Sequence, residues 1–332
     1  MSESGDYTPR IWKDHDFGSA RAAYDRHVGR SYDDAKTSGK KLSDVLPKTL
    51  STTSRAPLIL VCDETGSMGD WPATIFSKLP YLYNEAHDNY LGPDVEISFG
   101  AFGDVHCGEE YAVQARPFAN KDDVKKRLKE LIIEGGGGGQ IMESSELVAL
   151  YYARNCDMPN AEKPIYIFVT DEYCWDPISV ATAEQFGVSL TGKLTAKEVF
   201  AELNRKYSVY LIQKPYGDET SEKGHTTSQV RKKWLQHFDE GHIALLADPN
   251  RVVDVIFGIL AAESGKIDYF KKELEDRQLK DADGAAKVDT VYKALHTIHN
   301  LAAPAAAQKL LKSGHSTTFG IKGGGKKSKD LA

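Results

Sequence analysis

An α/β fold with a doubly wound, mostly parallel central sheet flanked by helices is what this 332-residue sequence predicts. Three observations carry it. Leu58-Ile59-Leu60-Val61-Cys62 and Ile165-Tyr166-Ile167-Phe168-Val169 are short unbroken apolar runs, the pattern of strands buried on both faces. From Pro57 to about residue 265, segments of strand length alternate with segments of helical spacing, which implies right-handed crossovers between parallel strands. Both apolar runs end in a polar turn bearing an aspartate, Asp63 in the first and Asp171 in the second.

Taken in order, residues 58–62 are the first strand, and a helix follows over about 71–90 with Pro72 near its first turn. Residues 95–102 form a second strand, in which Glu96, Ser98 and Gly100 alternate with apolar positions, and 111–115 pair with it at an edge. Residues 121–133 place Val124, Leu128, Leu131 and Ile132 on one helical face. A glycine run precedes a helix over 142–154 and the strand at 165–169. Helix 195–206, strand 209–213, a polar loop over 214–228, helix 229–238, strand 242–246 and helix 250–262 complete the sheet domain, with Asp248 placed to cap the last helix.

Residues 1–54 form a polar arm almost without aliphatic pattern, yet Tyr7, Trp12, Phe17, Tyr24 and Tyr32 punctuate it. Disordered tails are poor in aromatics, so the arm is suited to packing on its own domain or on a neighbour. A helix over 20–28 lying on the domain is the alternative. The sheet domain spans 55–265. Residues 266–314 make a helical extension, with helix-prone stretches at 267–279 and 285–311 and Pro304 interrupting the second, and 315–332 are a flexible Gly/Lys-rich tail.

Hydrophobic residues at 41% and charged residues at 27% are ordinary for a soluble protein, and a net charge of −6 gives no general basic surface for nucleic acid. No apolar run is long enough to span a membrane, and the first residues lack the pattern of a secretory signal, so a cytoplasmic location is expected. Cys62, Cys107, Cys156 and Cys174 are widely spaced and read as free thiols in a reducing interior. His106-Cys107 has the look of a metal-ligand pair, but no matching pair accompanies it, and a surface loop is the reading.

The turn Asp63-Glu64-Thr65-Gly66-Ser67-Met68 leaves the carboxyl end of a central strand, where open α/β sheets place their ligands. One carboxylate and two hydroxyls at alternate positions make a compact set of hard oxygens, the donors that Mg²⁺ takes. Thr170-Asp171-Glu172 delivers a second carboxylate from the same kind of place. Each half alone has a plainer explanation, since Ser and Thr cap helices and aspartates commonly end strands.

Together, in this chain order, the two halves resemble the von Willebrand factor A family and its metal-ion-dependent adhesion site. The resemblance covers about residues 56–265. It implies Thr65 and Ser67 as direct hydroxyl ligands, with Asp63 and Asp171 acting largely through water, around Mg²⁺ or else Mn²⁺ or Ca²⁺. The family's third hydroxyl, a threonine, has no counterpart here, because Gly135-Gly136-Gly137-Gly138-Gly139-Gln140 occupies that loop. Gln140 or Glu143 is then the candidate replacement, unless the loop is only a hinge. Asp104, Glu64 and Glu172 are candidates for the surrounding shell.

What the resemblance implies is a non-enzymatic, metal-dependent module or adaptor that engages an acidic group on a partner protein, with an AAA+ ATPase among the partners of intracellular members. A structural subunit of a large assembly, viral or cellular, is the second reading, with homo-oligomers laced through the terminal extensions. A metal-assisted phosphohydrolase built on Asp63 is the third. The haloacid-dehalogenase pattern needs an acid two residues after that aspartate, where Thr65 stands, and the glycine run lacks the Gly-Lys-Ser/Thr of a phosphate loop.

Overall fold

The computed structural model describes residues 39–68, 71–121, 123–134, 142–216, 226–298 and 301. Its centre is β1 (Ala56–Asp63), in which every residue after Ala56 is buried, as an unbroken apolar run requires. β1 lies between β2 (Val95–Phe102) and β4 (Ile165–Thr170), with Leu60 opposite both Phe99 and Ile167. With β3 (Val113–Ala115), β5 (Ser208–Gln213) and β6 (Ile243–Leu245), the sheet runs β6-β5-β4-β1-β2-β3. Every pairing is parallel except β2 with β3. The winding direction reverses at β1, so the carboxyl ends of β1 and β4 flank the switch-point crevice of a doubly wound sheet.

The helix expected over 71–90 divides. α1 (Trp71–Lys78) gives way to a 3₁₀ turn, Leu79–Tyr81, then to Leu82–Glu85 and a π-type stretch, Ala86–Tyr90. Pro80 contributes no amide hydrogen there and breaks the regular ladder. α2 is shorter than its amphipathic pattern, covering Asp123–Lys129. α3 (Ser145–Asn155) begins later than expected, because Met142–Glu143 pair as a two-residue parallel ladder with Tyr173–Cys174. α4 (Val180–Gln185), capped by Ser179, lies in a stretch for which no element was expected. α5 (Ala196–Lys206) and α6 (Thr227–Trp234) each begin with a capping box, from Thr195 with Glu198 and from Thr226 with Gln229. Asp248 caps the short turn Pro249–Arg251, and α7 (Val252–Ser264) follows, ending at Gly265 with φ +71°.

Packing runs on across both expected edges, residues 54 and 265. On the amino side, Val45, Leu46 and Leu50 are buried, and Leu50–Ser51 pair with Cys156–Asp157. The Tyr111 hydroxyl donates to the Lys40 carbonyl at 2.7 Å, and Tyr151 does the same to Pro47 at 2.6 Å. Val45, Leu46 and Leu50, with the partly buried Leu42, are too few to show as a periodic pattern. On the carboxyl side, α8 (Ile267–Gln278) and α9 (Gly284–Ala294) bury Phe270, Leu274, Val291 and Tyr292. Leu295 packs so tightly on α7 that a Cβ at Gly258 would lie 2.2 Å from its Cδ1. The Thr297 hydroxyl donates to the Ile243 carbonyl of β6 at 2.6 Å. The aromatic arm before residue 39, the region around Pro304 and the 315–332 tail lie outside the described residues.

No helix among the described residues is long and apolar enough to cross a membrane. All four cysteines are free; Cys62, Cys156 and Cys174 are buried and Cys107 is half-buried.

Candidate functional site

Asp63 is the last residue of β1 and is fully buried. Its Oδ1 accepts from the Thr65 amide at 3.0 Å and from the Thr65 hydroxyl at 2.7 Å. Its Oδ2 accepts from the Thr170 hydroxyl at 2.6 Å. Thr65 Oγ1 lies 3.1 Å from Ser67 Oγ, which donates to Asp171 Oδ1 at 3.0 Å. The four residues singled out by the sequence, Asp63, Thr65, Ser67 and Asp171, therefore join in one hydrogen-bonded set of oxygens at the switch point. Parallel register produces this. Cys62 stands opposite Val169, so the next residues on the two strands, Asp63 and Thr170, meet, and Asp171 follows one step beyond.

Thr170 was read only as part of the turn, and the structure gives it the task of fixing Asp63. Lys214, expected only as part of the polar loop over 214–228, also reaches the site. Its amide continues the β4–β5 ladder by donating to the Thr170 carbonyl at 2.9 Å, which sets it beside Asp171. Its ammonium then donates to Asp171 Oδ2 and to the Ser67 carbonyl, both at 2.7 Å. The signal was available in the register of two adjacent strands, since the residue after Gln213 must neighbour the residue after Thr170.

Of the additional candidates, Glu143 and Glu172 come to the site, and their carboxyls interact directly. Burial, then the charges of Asp63 and Glu172, push Glu143 up to about 12. Glu172 is pushed up to about 7, mainly by burial; the Tyr216 hydroxyl, which donates to its Oε1, works the other way. Glu143 Oε2 and Glu172 Oε2 make no regular hydrogen bond among the described residues. Burial and the neighbouring charge of Asp171 likewise raise Asp63 well above the usual carboxylate range.

Asp104 is close enough to raise Glu143 and Glu172, yet its own oxygens serve its loop. Oδ1 accepts from the His106 amide and the Trp175 indole, both at 2.9 Å, and Oδ2 from the Cys107 thiol at 2.7 Å. Glu64 turns elsewhere, accepting from Gln114 at 2.6 Å beside Glu109 and Glu134. Gln140 and the glycine loop lie outside the described residues. The loop carrying Asp171 and Glu172 is pinned from below. The Trp234 indole donates to the Glu172 carbonyl at 2.9 Å, and its ring packs edge-on against Phe168 and Phe200, at 5.3 and 5.4 Å between centroids.

Among the described residues, no group of three or more His, Cys, Asp or Glu side chains is arranged to hold a metal ion. The donor set here mixes hydroxyls with carboxylates. Hard neutral oxygens from Thr65 and Ser67, carboxylate oxygens from Asp63 and Asp171, and the Glu143–Glu172 carboxyl pair at the border are chemically suited to a hard divalent cation. A cation placed among them would reverse the upward pressure on Asp63, Glu143 and Glu172.

No family model and no curated protein matches the chain. Among solved structures, the pilus adhesin SpaC from Lactobacillus rhamnosus GG in its open conformation is 11% identical, with a TM-score of 0.45 over 68% of this chain and 31% of that one. Proximal thread matrix protein 1 from the mussel byssus is 13% identical, with a TM-score of 0.43 over 63% of this chain and 48% of that one. This chain thus covers less than half of either protein's length.

Proposed function

We propose that this chain is a divalent-metal-dependent, non-enzymatic protein-binding module of the von Willebrand factor A type, which engages an acidic group of a partner protein. The observation that carries the proposal is the hydrogen-bonded oxygen set of Asp63, Thr65, Ser67 and Asp171 at the β1–β4 switch point. Thr65 and Ser67 are the residues to hold Mg²⁺, or Mn²⁺ or Ca²⁺, directly, with Asp63 and Asp171 orienting its waters. The bound ion would supply a positive charge that the two neutral hydroxyls leave unspent, open to an acidic oxygen from outside.

The chain's own residues do the rest. Thr170 and the Thr65 amide hold both oxygens of Asp63, so that carboxylate is oriented before anything binds. Ser67 is exposed and stands at the mouth of the site, where a partner arrives. The Thr65 hydroxyl, two residues after Asp63, is committed to that carboxylate and offers no acid for a leaving group, which disfavours phosphoryl transfer through Asp63. An adaptor working beside an AAA+ ATPase is the form of this function we favour.

Calorimetric titration of the purified protein with Mg²⁺ and Mn²⁺ should show one divalent site that Asp63→Ala abolishes, and a chelator should weaken capture of an acidic partner. Equal binding by wild type and Asp63→Ala overturns the metal reading. Hydrolysis of a generic phosphomonoester that Asp63→Asn ends would replace it with the enzyme.

A further inference from the structure

The carboxyl edge of the sheet already holds one cation of its own. Lys214 Nζ sits 2.7 Å from Asp171 Oδ2, with the lysine side chain 17% exposed and that of the aspartate 2%. The same ammonium reaches the Ser67 carbonyl at 2.7 Å, so it bridges the two halves of the oxygen set, one from the β1 turn and one from the β4 turn. Its backbone is anchored by the β4–β5 ladder, so this is no surface side chain at large.

We infer that Lys214 is a built-in counter-cation that competes with a divalent ion for Asp171 and the Ser67 turn, and thereby sets the concentration at which the site loads. The inference rests on the metal reading above.

The physical case has three parts. Asp171 presents Oδ1 to Ser67 and Oδ2 to Lys214, so an ion drawing on this carboxylate meets an ammonium a few ångströms away. Like charges at that separation repel by enough to lower affinity tenfold or more, even in well-screened surroundings. Second, lysine is a compact charge on a flexible four-carbon stem, so it is able to withdraw without moving the backbone, unlike a planar guanidinium locked in a bidentate fork. Third, a resting place is at hand. The buried Trp71 ring lies with its centroid 5.9 Å from Nζ, within the range where an aromatic face attracts an ammonium. Without a divalent ion, the lysine holds the two turns together; with one, it yields Asp171 and leans toward the indole.

The test is calorimetric titration with Mn²⁺ of the full chain as wild type, Lys214→Met and Lys214→Arg, with the melting temperature of each recorded with and without Mn²⁺. Lys214→Met should bind at least tenfold more tightly than wild type and gain more melting temperature from Mn²⁺. Lys214→Arg, which keeps the charge, should bind no better than wild type. Wild-type binding that Lys214→Met leaves within twofold, or weakens, overturns the inference while leaving the metal site standing. Should Lys214→Met misfold, Lys214→Gln takes its place under the same criterion. No binding by any of these proteins at millimolar Mn²⁺ overturns the metal reading and the inference with it.

Discussion

Between α7 and α8, Asp254 is 1% exposed and is met by two guanidinium groups, Arg251 Nη1 at 3.1 Å and Arg277 Nη2 at 3.0 Å, with Glu273 2.7 Å from the second arginine. At the carboxyl edge of the sheet, Asp63, Asp171, Glu143 and Glu172 are buried as deeply, and the ion pair they have among the described residues is Lys214 with Asp171. The first cluster alternates sign and joins helices. The second includes Asp63, Glu143 and Glu172, whose ionisation is opposed by burial and by neighbouring negative charge. Buried charge that is paired is a structural fixture, whereas buried charge left in excess is held against its own electrostatics by the rest of the fold, as binding sites are.

The severest way to strain the comparison is to cut the chain. A fragment of residues 55–265 removes Arg277 from the balanced cluster, strips Leu295 from Gly258, and loses the Leu50 ladder with Cys156. Calorimetric melting of that fragment should show no cooperative transition, while a fragment of residues 39–301 should melt in one. A sharp transition from the shorter piece would mean that the flanking segments are accessories to the sheet.

A point substitution separates the two clusters more finely. Asp254→Ala leaves the buried Arg251 without its close carboxylate and takes one of two partners from the half-buried Arg277, and should lower stability by about 3 kcal/mol in urea unfolding. A loss below about 1 kcal/mol would show that the arginines find solvent or other partners, and the cluster would no longer count as a structural fixture.

How far these two regions were legible beforehand differs for the same physical reason. The strands, the switch-point position and the four residues of the oxygen set follow from local pattern, because an apolar run and the polar turn after it are neighbours in sequence. Thr170's grip on Asp63 and the reach of Lys214 to Asp171 depend on strand register, which a single sequence reveals only after the strand order is known. The Asp254 cluster was invisible, since Arg277 arrives from a helix read as a separate extension. Pro80's disruption of the helix after β1 is legible in the sequence, since a proline inside a helical stretch removes a backbone donor.

The smallest expected effect is a slope, and it bears on the unbalanced cluster alone. Glu172 has an ordinary value of 4.5 and is pushed up to about 7 in the folded protein, chiefly by burial. Well below pH 4.5, folded and unfolded chains both hold the proton, and the shift contributes nothing to the pH dependence. Between about 4.5 and 7 the unfolded chain gives it up more readily, so the folded state binds more protons and stability falls as pH rises. Above 7 this residue's contribution levels off, while Glu143, raised further still, continues the trend. Urea unfolding in the presence of a chelator should therefore show wild type losing about 1–3 kcal/mol more than Glu172→Gln between roughly pH 5 and pH 8. Glu172→Gln should lose that share of the slope while keeping the part that Glu143 carries, and added Mg²⁺ should flatten the wild-type slope by compensating the charge. If the Glu172→Gln and wild-type curves run parallel under chelator, the carboxylates at the sheet edge are already relieved by other groups, and the excess negative charge that distinguishes this region from the Asp254 cluster is not there to attract an ion.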